Sequence, residues 1–171
     1  MDFEVSDRMK TITEMINEFV DKELIPLEHD FLTEDFKQLE PVLEEKRRMV
    51  KQMELWAPNQ DKEYGGMGLS LVEHGLVSEA LGRSPLGHYV FNCQAPDAGN
   101  MEILHEFGTK EQKEKYLRPL VEGKIRSCFS MTEVEMPGSN PVMMDTTAIK
   151  DGDDYVINGQ KWYTTAADGA Q

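Results

Sequence analysis

From Phe129 to Ser139 the sequence gathers residue types that do more than fill space. Phe129 and Met131 alternate with Ser130 and Thr132, so a strand here has one apolar and one hydroxyl-bearing face. A loop containing Gly138-Ser139 follows and offers exposed backbone N–H groups. Apolar cover, a hydroxyl and backbone donors are the parts that a planar, heteroatom-edged cofactor with a pyrophosphate tail requires. An ordinary strand and turn uses the same residues, so both readings stand on these features.

Elsewhere the chemistry is sparse. His29, His74, His88 and His105 lie 45, 14 and 17 positions apart, which matches no zinc-binding spacing, and no metal site is expected. The sequence has no Gly-x-Ser-x-Gly elbow, and neither Cys93 nor Cys128 has a neighbour that would activate a thiolate. Two cysteines are too few for a disulfide framework, so a reducing compartment and buried, inert thiols are expected. With 32 Asp and Glu residues any carboxylate spacing can be found, so no catalytic residue is assigned from pattern. Gly65, Gly66 and Gly68 are not followed by the Lys-Ser/Thr of a phosphate loop and read as a turn.

The elements that must position these residues come in two kinds. Val5, Met9, Ile12, Ile16, Phe19, Val20 and Leu24 recur at helical spacing, and Pro26 should stop or kink that helix. A second helix should run from Phe36 through Trp56, with Lys46, Arg47, Arg48 and Lys51 on a solvated face. Ser70 and Glu73 form a capping box that opens a helix with Leu71, Leu76, Ala80 and Leu81, ended by Gly82. Another helix should occupy Asp97 to Phe107, closed by Gly108. Thr109 and Gln112 repeat the capping box for a last helix running to Val121. After Lys124 the pattern changes to period two. Strands are expected at 129–132, from Val142 to Ile149, and around Tyr155 to Ile157, with Asp151-Gly152 and Asn158-Gly159 as turns before Trp162 to Thr165. The expected class is α+β: a helical domain over 1–125, then the first strands of an antiparallel β domain over 126–171. Such a meander leaves its far edge unmet, so something outside the chain is expected to complete it.

Composition agrees with a folded, water-soluble chain: 39% hydrophobic and 29% charged over 171 residues. A net charge of −14 disfavours nucleic acid and anionic membrane surfaces as partners. No stretch approaches the roughly 20 apolar residues of a membrane span, and the first twenty residues lack the form of a secretory signal. A cytoplasmic protein is expected, or a mitochondrial or peroxisomal one in a eukaryote.

Two ordered segments carry a resemblance. Phe129-Ser-Met-Thr-Glu133 with Gly138-Ser139-Asn140, and Asp154-Tyr-Val-Ile-Asn-Gly-Gln-Lys161 before Trp162-Tyr163-Thr164-Thr165, resemble the two flavin-contacting signatures of the acyl-CoA dehydrogenase family. Tyr64-Gly65-Gly66-Met67-Gly68 and Glu111-Gln112-Lys113 through Pro119 resemble its helical domain, and the stretch from Asn92 to Glu102 is most similar to the subgroup of family members 10 and 11.

The resemblance covers the whole chain but less than half of the family's usual length. It implies FAD, with Phe129, Met131 and Thr132 lining the flavin and Thr132 bonding its pyrimidine edge. Gly138 and Ser139 then meet the pyrophosphate, and Ser139 also touches the acyl-CoA. Tyr163 covers the ring, and the Thr165 hydroxyl lies near its reactive nitrogen. It further implies α,β-dehydrogenation of a fatty acyl-CoA, an electron-transfer flavoprotein as acceptor, an oligomer when complete, and a catalytic glutamate in a C-terminal bundle outside this chain. Glu133 then corresponds to a conformational residue and not to the base. Asn140 stands where the family usually has aspartate, Val134 where proline is common, and Ala166-Ala167 replace a commoner polar or glycine pair. The alternative expectation is a non-catalytic module, or one subunit of a split enzyme, acting through protein contacts.

Overall fold

In the computed structural model, residues 4–170 are described; the chain ends bounding the two expected domains lie outside them. The chain divides into two units, Met1–Lys124 and Ile125–Gln171.

The first unit is helical. Ser6 opens α1 (Asp7–Phe19) by accepting a hydrogen bond from the Met9 amide, and the apolar face expected from spacing is the one that packs, with Met9, Ile16 and Phe19 buried. Each fully buried side chain of this size contributes about 2 kcal/mol. At Pro26, where a stop or kink is expected, the path changes helix type. The Ile25 amide reaches back to the Val20 carbonyl in a π turn (Val20–Leu24), and Pro26 sits in a 3₁₀ turn (Ile25–Leu27), where its missing donor is tolerated. The path then continues into α2 (Glu28–Thr33).

Asp35 caps α3 (Phe36–Gln52), which stops four residues before Trp56 because Glu54 and Ala57 take left-handed conformations that turn the chain back. The basic cluster on α3 is also not uniformly solvated: Arg47 is 2% exposed. The capping box at Ser70 is formed in both directions and opens α4 (Leu71–Leu81), with Gly82 as its C-cap. Leu71, expected on the core face, is 87% exposed, and Val77, Ala80 and Leu81 do the packing, with α4 against α1. A short α5 (Gly87–Val90), absent from the sequence reading, precedes α6 (Asp97–Phe107), which closes at Gly108 as expected. Thr109 and Gln112 form the second capping box, and α7 (Lys110–Gln112), a π segment (Lys113–Leu117) and α8 (Arg118–Val121) make one continuous helical run. No described helix is long and apolar enough to cross a membrane.

The second unit contains one hairpin, β1 (Thr147–Asp151) and β2 (Asp154–Asn158), paired antiparallel from Thr147↔Asn158 to Asp151↔Asp154. Its two-residue loop has Gly152 at φ 61°, the turn that Asp151-Gly152 predicts. The strand expected from Val142 starts only at Thr147, because 141–142 form a turn and 143–146 have no regular secondary structure. The segment expected as a third meander strand does not pair with β2. It returns to 129–133 through single bridges, Phe129↔Thr165 and Glu133↔Lys161, and left-handed Tyr163 and Ala166 prevent a continuous ladder.

Candidate functional site

The two bridges bring together the segments that carry most of the candidate residues. The Trp162 amide donates to the Thr132 carbonyl at 3.1 Å, and the Ser130 and Thr164 hydroxyls lie 3.1 Å apart. Phe129 is 47% and Tyr163 79% exposed, so two aromatic rings stand at the surface of this paired region with Met131 and Thr165. Tyr163 has φ 49°, a conformation that costs a non-glycine residue roughly 1–2 kcal/mol and that collects at binding sites. Its ring lies 4.7 Å from that of Trp162, centroid to centroid.

Gly138 approaches Thr132 so closely that a Cβ there would meet the threonine Cγ2 at 3.0 Å. Met131, Thr132 and Gly138 line one shallow depression; Phe129, Ser139, Tyr163 and Thr165 stand outside it. Ser139 is exposed in the turn that follows. Asn140 keeps an acceptor where the family usually places aspartate: its carbonyl takes the Met143 amide at 3.1 Å, and its side-chain oxygen takes that of Val142 at 3.4 Å.

Glu133 is expected to be a conformational residue and Lys161 has no expected role beyond its place in the motif; together they join three stretches of this region. Glu133 is 5% exposed; its carboxylate accepts from the Asp145 and Thr146 amides at 2.6 and 2.9 Å and from Lys161 Nζ at 2.8 Å. The Lys161 ammonium also donates to the Met131 carbonyl at 2.8 Å. The Lys161 bond, then those from Thr146 and Asp145, hold the Glu133 carboxyl down at about 2. A carboxylate this acidic is a poor proton acceptor near neutral pH, in line with its expected conformational role. The available signal was a Glu and a Lys at the ends of two segments that pair.

The exposed donor set fits a flavin: aromatic and thioether surface for the ring, hydroxyls for its edge, and a glycine-containing turn for phosphate. The helical unit carries a different cluster. Arg47 donates to the Tyr89 carbonyl at 2.6 Å, and its guanidinium lies 4.7 Å from the Trp56 ring and 4.8 Å from the Tyr89 ring. Trp56 in turn donates to the Val121 carbonyl at 2.7 Å. Trp56 also borders an open cleft of about 880 Å³ with Lys51, Lys62 and Tyr64. Cys93 is buried, and burial pushes its thiol up to about 12, so it is inert; Cys128 is only half-buried, contrary to expectation. Among the described residues no group of His, Cys, Asp and Glu could hold a metal.

The model of the acyl-CoA dehydrogenase N-terminal domain matches residues 6–124. Acyl-CoA dehydrogenase family member 11 of Gallus gallus is 44% identical over 138 residues, covering 79% of this chain and 17% of that protein. A structure from Mycobacterium abscessus assigned to the acyl-CoA dehydrogenases superposes with a TM-score of 0.88 at 39% identity, over 96% of this chain and 44% of that one. Glutaryl-CoA dehydrogenase from Mycobacterium smegmatis, in complex with FADH2, superposes with a TM-score of 0.71 at 25% identity, over 97% and 41%. The chain thus spans less than half the length of each of these proteins. The N-terminal-domain match takes in residues 6–124, more than half of the chain, and the chain therefore belongs to the acyl-CoA dehydrogenase family.

Proposed function

We propose that this chain supplies part of an FAD site in an enzyme that dehydrogenates fatty acyl-CoA thioesters between the α and β carbons. The observation that carries the reading is the pairing of 129–133 with 161–165, which gathers exposed Phe129, Met131, Tyr163 and Thr165 with Thr132 into one region. Bound FAD would supply a hydride acceptor. Phe129, Met131 and Tyr163 provide its apolar cover, and the Thr132 and Thr165 hydroxyls fix the ring edge. Gly138 and Ser139 take the pyrophosphate, with Ser139 also facing the acyl-CoA. Holding the ring in one orientation is what this chain's residues contribute to rate, because the bond to be oxidised must lie between the acceptor and a base. No base is assigned within the chain. The electrons then pass to an electron-transfer flavoprotein. The glutaryl-CoA dehydrogenase complex with FADH2 supports the cofactor reading.

A second reading, in which the chain acts by protein contact alone, is favoured by the hairpin, where Ile149 is 62% and Ile157 71% exposed. Gel filtration of the purified chain with FAD, followed by flavin absorbance, separates the two. Stoichiometric retained flavin is the expected result. A soluble, folded sample that retains none overturns the FAD reading and leaves the contact role.

A further inference from the structure

We propose that Glu133 and Lys161 form a positioning clip that fixes the two candidate flavin-contacting segments against each other, an inference that rests on the FAD reading above. Three stretches of chain meet at this pair. Lys161 is half-buried and belongs to the segment leading into Tyr163 and Thr165. Its Nζ donates to the Met131 carbonyl and to Glu133 Oε1, both at 2.8 Å, and lies 3.5 Å from Met144 Sδ. An ammonium has three hydrogens, so all three have acceptors here. Glu133 Oε1 also takes the Thr146 amide, and Oε2 takes the Asp145 amide, both immediately before β1.

The alternatives to this clip are weak. Between 129–133 and 161–165 the structure has two single bridges, one of them carrying the Trp162 to Thr132 backbone bond, and one hydroxyl pair. No continuous ladder sets the register, because Tyr163 leaves the extended region at its centre. Charge-assisted bonds are roughly twice as strong as neutral ones, so the clip outweighs any of these single contacts. It acts on the site through the backbone. Lys161 holds the carbonyl of Met131, the peptide that leads directly into Thr132, and Thr132 is the residue Gly138 packs against. Neither Glu133 nor Lys161 is placed in contact with the cofactor.

The test compares wild type with Lys161→Met, Glu133→Gln and Lys161→Arg in the full chain. It reads amide exchange at Asp145, Thr146 and Trp162, FAD affinity, and the visible circular dichroism of bound flavin. Lys161→Met and Glu133→Gln should each speed exchange at these amides and weaken FAD roughly tenfold, the loss expected for a hydrogen bond to a charged group. The dichroism of whatever flavin binds should change. Lys161→Arg should restore most of both, and exchange in β1–β2 and melting of the helices should not move. A wild type that retains no flavin while the exchange contrast holds overturns the FAD reading and keeps the clip as the link between segments. A wild type that retains flavin, with variants equal to it in exchange and affinity, overturns the clip.

Discussion

The two units of this chain are ordered by different forces. In the helical unit the side chains that matter are apolar and hidden: Ile16, Leu43, Leu81 and Met101 are at 0% exposure. In the second unit every residue of both strands is exposed, and the deeply buried side chain is a carboxylate, Glu133. Order there comes from polar bonds with defined directions, and apolar surface is left free. A unit built on burial tolerates modest shifts of its surface, whereas one built on a few directed bonds fixes the position of particular backbone groups. Fixed backbone groups next to free aromatic and apolar surface suit ligand binding.

That contrast can be broken most severely by Leu43→Ala. Leu43 is fully buried on α3, so the truncation should cost about 3 kcal/mol of helical stability, read as a lower Tm by circular dichroism, with amide exchange at Trp162 unchanged. Gly123→Ala should follow at about 2 kcal/mol. Gly123 has φ 69°, and a Cβ there would meet Arg47 Nη2 at 2.5 Å and Trp56 Cζ2 at 2.6 Å, so the added methyl strains both the backbone and the Arg47–Trp56 stack. Near-ultraviolet dichroism of Trp56 should report the displaced ring. Ser70→Ala should cost about 1 kcal/mol, because it removes the acceptor for the Glu73 amide while leaving α4 otherwise intact. A denaturant titration measures it as a lower midpoint at constant slope.

The same contrast explains what the sequence made legible. Caps are local, so Ser70 with Glu73, Thr109 with Gln112, and the stops at Gly82 and Gly108 could be read from three or four adjacent residues. The burial of Arg47 could not, since it depends on Trp56 and on the Tyr89–Asn92 segment arriving from two other places in the chain. Pro26 marked a disturbance but not its form: a proline forbids one hydrogen bond and not a helical path, and the π and 3₁₀ turns around it dispense with that bond. In the second unit the Asp151-Gly152 turn was local and legible. The return of 161–165 to 129–133 was not, because it spans about thirty residues and skips the intervening hairpin. The candidate site was therefore readable as two motifs, while the ion pair joining them appears only when the chain is folded.

Acid sharpens the comparison with the smallest perturbation, because each unit has its own titrating groups. Burial lowers His74 and His88 in the helical unit. His88 lowers His74 further, Glu102 opposes that shift, and His88 lies 3.3 Å from the Ser78 hydroxyl. A histidine whose folded value is lowered leaves stability intact above its unfolded value of about 6.5 and loses it as pH falls from there toward the folded value. In the second unit Glu133 titrates at about 2 when folded. Its unfolded value is about 4.3, so the clip's contribution is complete above that pH and is lost progressively as pH falls from there through the folded value. Both groups favour folding at neutral pH, but the helical unit should begin to lose stability below about pH 6.5 while the clip persists to about pH 4. Far-ultraviolet dichroism for the helices and amide exchange at Thr146 for the clip separate the two windows. His74→Phe should remove part of the upper one and leave the lower one in place. A single shared transition for both probes would mean that the two units do not hold their order independently.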